Sequence, residues 1–311
     1  MTTAWVFPGQ GSQFVGMARD LYETYASART VIDAADAVLG FSLSKLMFQG
    51  PEEELTDTLN AQPALLTHSI AALAALQQAT AYELEPAAWC AGHSLGEFSA
   101  LVAAGALDFA DGVKLVRARG AAMKRAGELR PGAMAAILGL DDAKLEEICR
   151  EVGAVQVANY NAPGQIVLSG EKTALAHAVE LAKQAGAKRA IVLAVSIAAH
   201  SELMRAAVQE FRAAVLNTPL NVPRIPIISN VTAEPLREPE TLRQEMLAQL
   251  TSAVQWVRGV EFMQAQGVAK FLEIGPKDVL TGLNKRIAKR ATAYPLGTRE
   301  NIVTYVEGMT A

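Results

Sequence analysis

The sequence predicts an α/β protein in which a small subdomain is inserted into a larger one. Strand-like and helix-like segments alternate along almost all of its 311 residues, the pattern of α/β architecture. At about 150 residues per domain, that length holds two units, or one large unit carrying an insertion. The third observation is the stretch 132–193, which has a complete β-α-β-β-α-β order of its own.

The elements follow in chain order. Residues 4–7 read as a strand that breaks at Pro8-Gly9, and Glu52-Glu53-Glu54 as a solvated helix start. Residues 61–82 read as a long helix with Pro63 near its first turn, where proline is tolerated. Residues 87–91 form a short buried strand. A helix over 95–104 places Leu95, Phe98, Leu101 and Val102 at helical spacing, Gly105 closes it, and a second helix covers 109–126. Within the insertion, 133–138, 155–159, 165–169 and 189–193 are strands, while 141–152 and 171–185 are helices. This is the ferredoxin-like order. Arg130-Pro131-Gly132 and residues 196–200 flank it, so the small subdomain is expected at 130–196 and the large one at 1–129 with 197–311. The larger pattern resumes with strands at 225–229 and 270–274, and no internal repeat or low-complexity tract interrupts it.

Composition narrows the function. Hydrophobic residues are 51% and charged residues 19%, which excludes a disordered chain. Lys and Arg number 28 against 32 Asp and Glu, a net charge of −4, and no long basic block suggests nucleic acid as partner. Two cysteines, Cys90 and Cys149, exclude a disulfide framework and a Cys-rich metal site, and fit a reducing compartment. The longest apolar run, 190–199, is too short to span a bilayer and contains Ser196. No basic segment followed by an apolar one opens the chain, so no signal peptide is expected. A soluble cytoplasmic enzyme is the expectation.

The strongest local signal is Gly92-His93-Ser94-Leu95-Gly96, which follows an apolar strand and opens a helix. That is the setting of a nucleophile elbow. The glycines allow a sharp turn that projects Ser94, and the helix start offers free N–H groups to an anion forming beside it. Four histidines compete for the role of base. His93 adjoins Ser94 and points elsewhere in an elbow, His68 lies inside a helix, and His177 lies on a helix of the insertion. His200 remains. It precedes Ser201, which reads as a helix N-cap, and a helix start favours the neutral imidazole that a base requires. No acid completes a triad, because Asp108, Asp111, Asp141 and Asp142 all read as helix starts. Arg119 lies between two apolar helix rows while Arg117, in a row with Lys124, looks solvated; Gly120 permits close backbone approach. A guanidinium on an apolar face needs an anion, either a substrate carboxylate or an internal ion-pair partner. Residues 7–13, FPGQGSQ, form a glycine-rich turn that fits neither a dinucleotide fingerprint nor a phosphate loop, yet its amides suit an anion nest.

Together these pieces resemble the malonyl-CoA:acyl-carrier-protein transacylase family over nearly the whole chain. The resemblance rests on FPGQGSQ at 7–13, Gln62-Pro63-Ala64, GHSLGE at 92–97 and Arg119-Gly120. It also rests on Asn159-Tyr160-Asn161, Pro163-Gly164-Gln165, His200-Ser201, Gln249-Leu250, Val254-Gln255-Trp256 and Glu273-Ile274-Gly275-Pro276. It implies an α/β-hydrolase-like large subdomain with the ferredoxin-like insertion. It implies Ser94 as acylated nucleophile, His200 as its base, the Gln249 carbonyl orienting His200, and the N–H groups of Gln10 and Leu95 as oxyanion donors. Arg119 would hold the malonyl carboxylate, and Gln62, Asn159 and Asn161 would line the cleft. The implied substrates are malonyl-CoA and acyl carrier protein, with no metal, no cofactor, no membrane partner and a monomeric chain. One position departs from the family's Phe or Ser before the base histidine: Ala199 leaves room for methylmalonyl. Other readings are loading of a polyketide carrier, a thioesterase or esterase on the same elbow, and a carrier-docking subunit without catalysis.

Overall fold

The computed structural model describes residues 2–310 apart from Tyr82, Glu85 and Ser196. Ten strands are β1 Thr2–Phe7, β2 Trp89–Gly92, β3 Gly132–Leu138, β4 Val155–Ala162, β5 Gln165–Glu171, β6 Arg189–Val192, β7 Ile227–Ile228, β8 Pro235–Leu236, β9 Val268–Glu273 and β10 Thr292–Pro295. The helices are α1 Arg19–Thr24, α2 Ala26–Leu39, α3 Leu43–Gln49, α4 Glu52–Thr56, α5 Thr58–Ala79, α6 Gly96–Ala103 and α7 Phe109–Leu129. They continue with α8 Asp142–Val152, α9 Lys172–Gln184, α10 Arg205–Asn217, α11 Pro239–Ala248, α12 Trp256–Ala265, α13 Val279–Ile287 and α14 Arg299–Thr310.

Two sheets result. The larger has the order β10-β9-β1-β2-β7-β8 and is parallel except for β8. The smaller, antiparallel, has the order β4-β5-β3-β6. With helices between β3 and β4 and between β5 and β6, this is the ferredoxin-like topology expected from the sequence. Phe7 pairs with Gly92 at the ends of β1 and β2, so the FPGQGSQ turn and the elbow leave the sheet side by side. That carboxyl edge is where open α/β sheets carry their sites.

Several elements differ from expectation. The helix expected at 61–82 begins at Thr58, because the Asp57 side chain caps it by accepting from Leu59 N at 2.9 Å. Pro63 therefore lies beyond the first turn and frees the Leu59 carbonyl, which accepts from Arg117 Nη1 at 3.4 Å. Arg117 is thus not simply solvated: it is half-buried, with its guanidinium 4.6 Å from the Phe41 ring centroid. The expected helix end, Tyr82, and the expected subdomain limit, Ser196, lie outside the described residues. β4 runs three residues beyond the expected 155–159, with register shifts that keep it paired to β5. No helix is long and apolar enough to cross a membrane among the described residues.

Helix α5 is apolar on most of its circumference and packs against α7 within the main core. Gly120 makes this crossing close: a Cβ there would stand 2.6 Å from the Thr58 carbonyl oxygen. The crossing fixes Arg119, on α7, relative to Thr58 and Gln62, on α5.

Candidate active site

The elbow is a tight backbone junction. Ser94 has φ of 52° and His200 of 58°, left-handed conformations that non-glycine residues adopt at a cost. A Cβ on Gly92 would lie 1.9 Å from the Gly96 carbonyl carbon. One on Gly96 would lie 2.0 Å from the Phe7 oxygen, and one on Gly9 2.3 Å from the His93 oxygen. His93 N also donates to Phe7 O at 3.0 Å. Glycines at 9, 92 and 96 thus let the two turns touch backbone to backbone. Leu95 occupies the N-cap of α6, where no intrahelical carbonyl meets its N–H.

Ser94 Oγ lies 2.8 Å from His200 Nε2, although the two are 106 residues apart in the chain. His200 Nδ1 lies 2.8 Å from the Gln249 carbonyl oxygen. A carbonyl only accepts, so Nδ1 carries the proton and Nε2 presents its lone pair to the serine O–H. Burial, and secondly the charge of Arg119, push the His200 pKa down to about 3, so the ring is neutral near pH 7. Ser201 caps the following 3-10 turn, its Oγ accepting from Leu203 N at 3.3 Å.

Arg119 is 1% exposed. Its Nη1 donates to Gln62 Oε1 at 3.0 Å, and its Nη2 to Gln249 Oε1 at 2.7 Å and Ser94 Oγ at 3.3 Å. Nε has no partner among the described residues, and the guanidinium lies 5.4 Å from the Phe98 ring centroid. The internal ion pair that the sequence left open is not formed: none of the ion pairs of the described residues includes Arg119. The Gln249 amide stands between Arg119 and the Glu97 carboxyl, accepting from the first and donating Nε2 to the second. Burial lowers the Arg119 pKa to about 10, and Glu97 partly offsets this, so the group stays cationic. A cation held by neutral oxygens in a dry site favours an incoming anion.

The other expected residues fall at different distances from this centre. Gln62 is fully buried on α5 and bonded to Arg119. Gln10 is exposed, and its Oε1 accepts from Thr58 Oγ1 at 3.1 Å. Asn161 Oδ1 lies 2.8 Å from His93 Nε2, so His93 does turn away from Ser94. Asn159 is buried on β4 and bridged to Val254, and none of the hydrogen bonds around Ser94 reaches it. Ala199 is half-buried and packs on the cluster of Met134, Ala158 and Val167. His68 is buried, bonds the Gly297 carbonyl at 2.8 Å through Nε2, and is pushed down to about 4, while His177 is exposed. Among the described residues no three of His, Cys, Asp and Glu converge as metal ligands would.

Residues 4–302 match the family model described as the acyl transferase domain. This chain belongs to the acyl transferase family. It is 45% identical over 296 residues to the malonyl CoA-acyl carrier protein transacylase of Escherichia coli K12, covering 94% of this chain and 95% of that protein. Among solved structures, it resembles an acyl-carrier-protein S-malonyltransferase from Bartonella henselae with a TM-score of 0.94 and 42% identity, over the whole of both chains. It also resembles a malonyl-transacylase solved in complex with a type II PKS acyl carrier protein, with a TM-score of 0.94 and 40% identity over 99% of this chain and all of that one.

Several residues whose part no sequence motif reveals also shape the site of this acyl transferase. Asn230 Oδ1 accepts from Ser94 N at 2.8 Å, while its Nδ2 donates to Gly92 O and to Glu97 Oε1, each at 2.8 Å. It locks the elbow from a loop after β7. Glu97 stood in the GHSLGE motif, yet its part is visible only in three dimensions. It is buried against Glu245, and desolvation and that neighbouring carboxylate raise its pKa well above the usual range. Gln156 Nε2 donates to His200 O at 3.1 Å and Thr251 O at 3.2 Å, tying β4 to the loop that carries His200. No local motif surrounds Asn230 or Gln156, so nothing near them in sequence marked them. Gln249 was expected to act through its carbonyl alone, but its side chain also joins Arg119, Glu97 and the Ser94 carbonyl.

Proposed function

We propose that this protein transfers a malonyl group from malonyl-CoA to the phosphopantetheine thiol of acyl carrier protein, through a malonyl ester on Ser94. The observation that carries the reading is a buried, unneutralised guanidinium 3.3 Å from a serine that is itself 2.8 Å from a neutral histidine. A simple esterase needs only the second pair. A cation beside the nucleophile suits an acyl group with a carboxylate at its far end.

The steps balance as a ping-pong exchange. Ser94 Oγ attacks the thioester carbonyl carbon as its proton passes to His200 Nε2. The oxyanion is bound by the N–H groups of Leu95 and Gln10. Collapse breaks the C–S bond, and the departing CoA sulfur takes the proton from His200. The pantetheine thiol then gives its proton to His200 and attacks the ester carbonyl, and Ser94 leaves with that proton. Arg119 holds the malonyl carboxylate throughout, which fixes the reacting carbon near the nucleophile. Once paired with that carboxylate, Arg119 depresses His200 less, so the base strengthens as the correct acyl group binds. Gln62 and Asn161 line the cleft beside Arg119 and His93, and Ala199 leaves space at the acyl α-carbon. Every proton in this scheme moves between the chain's own side chains and the two thiols.

The subdomains we propose are 130–196 and, together, 1–129 with 197–311; the separate sheet of β3 to β6 supports that division. Cys90 and Cys149 are buried free thiols, which supports a cytoplasmic setting.

The test is intact-protein mass after brief exposure to malonyl-, methylmalonyl- and acetyl-CoA, followed by product analysis with saturating holo-carrier. A malonyl adduct on the parent, none on Ser94→Ala, and malonyl-carrier as main product are expected. Free malonate far exceeding malonyl-carrier would overturn the transferase reading.

A further inference from the structure

A chain of hydrogen bonds leads from Arg119 out of the buried site to the exposed loop after β1. Arg119 Nη1 donates to Gln62 Oε1 at 3.0 Å, Gln62 Nε2 donates to Thr58 Oγ1 at 3.0 Å, and Thr58 Oγ1 lies 3.1 Å from Gln10 Oε1. Its direction is forced. A guanidinium has no acceptor, so Gln62 must turn its oxygen to Arg119 and its NH2 to Thr58. The Thr58 oxygen accepts there, so its single proton goes to Gln10. Thr58 is the one side chain bonded to Gln10 among the hydrogen bonds of the described residues.

The backbone keeps this chain in register. Thr58 is the first residue of α5, fixed by the Asp57 cap, and its carbonyl lies against Gly120, the residue after Arg119. Thr58 is 5% exposed, whereas Gln10 is exposed. A buried hydroxyl therefore anchors a surface loop to the α5–α7 crossing. On the other side, Gly9 packs on the His93 carbonyl and Lys277 Nζ donates to Gly11 O at 3.1 Å.

We propose that Thr58 is a positioning residue for acyl transfer: it holds the Gln10 loop so that the Gln10 N–H faces the oxyanion, in fixed relation to the Arg119 clamp. This rests on the malonyl-transfer reading above. Thr58 touches neither thioester nor carboxylate; it acts through Gln10 and Gln62.

The experiment is single-turnover formation of malonyl-enzyme, read by intact mass, on the parent, Thr58→Val, Thr58→Ser, Gln10→Ala and the Thr58→Val/Gln10→Ala double variant. Valine keeps the shape and removes the hydroxyl, serine keeps the hydroxyl, and Gln10→Ala keeps the backbone N–H. Thr58→Val and Gln10→Ala are each expected to slow acylation about tenfold, with the KM for malonyl-CoA within about twofold in Gln10→Ala. Thr58→Ser should stay within about threefold of the parent, and the double variant within about threefold of either single one. Parent-like acylation in Thr58→Val or in Gln10→Ala overturns the proposal, as do losses that multiply in the double variant. Should Thr58→Val fail to fold, Gln10→Ala and Thr58→Ser decide it alone. A parent that forms no malonyl-enzyme defeats the transferase reading instead, so the two failures are distinct.

Discussion

Arg119→Met isolates what the guanidinium contributes. Methionine keeps an unbranched apolar stem near Phe98 and deletes the charge and the donors to Gln62, Gln249 and Ser94. Removing one partner of a buried, hydrogen-bonded charge pair costs about 2–5 kcal/mol. At 1.36 kcal/mol per tenfold, kcat/KM for malonyl-CoA should fall by roughly 30- to 5,000-fold. Acetyl-CoA offers no carboxylate, so with it the variant loses only the 3.3 Å contact that Arg119 makes with Ser94 Oγ. That contact, from a cation to a neutral oxygen and long for a hydrogen bond, is worth about 1.5 kcal/mol, a change of roughly 13-fold. The assay is kcat/KM for both thioesters with saturating carrier, alongside a melting curve to confirm folding. Selectivity for malonyl over acetyl should collapse. Equal proportional losses for the two substrates would show that Arg119 supports the fold of the site and does not bind the carboxylate.

Two further outcomes follow from the same geometry. Because burial and then the Arg119 charge depress His200 to about 3, its imidazole stays unprotonated well below the ordinary 6.5. The acid limb of kcat/KM for malonyl-CoA should therefore lie at least one unit below 6.5, and Arg119→Met, which removes one depressing cause, should move it upward; a parent limb at 6.5 contradicts this. Gly96→Ala would bring a Cβ to 2.0 Å from the Phe7 oxygen and 2.9 Å from the Pro8 oxygen, both backbone. It should destabilise by about 3 kcal/mol and lower Tm by about 5 °C, and an unchanged melting curve would show that the elbow yields more readily than its packing implies.

How far the sequence could be read depended on whether a feature is local. The elbow was legible because Gly92, Ser94 and Gly96 are contiguous and bounded by an apolar strand and a helix. The insertion was legible because six segments in β-α-β-β-α-β order follow one another without interruption, and the sheet order β4-β5-β3-β6 agrees with them. Arg119 stood out as a charge on an apolar helix face, but whether it met an internal acid depended on residues far along the chain. Asn230 and Gln156 were invisible for the same reason: each works through partners brought close only by folding, and Asn230 meets Ser94 across 136 positions. The start of α5 was not legible, because Asp57 resembles any turn residue until its carboxylate is seen accepting from Leu59 N.

The sheet order has a consequence for how the molecule is made. β1 and β2 emerge early in synthesis, but their outer neighbours, β9 and β7, belong to the last third of the chain. A ribosome-bound chain that has just completed α10 has both rims of its central strand pair bare, and it still lacks Asn230 and Gln249. Such rims invite pairing with other chains, and closing contacts across so many residues is slow. The vulnerable period in this protein's life thus precedes its release, and the Ser94–His200–Gln249 arrangement cannot assemble until about four-fifths of the polypeptide has been synthesised.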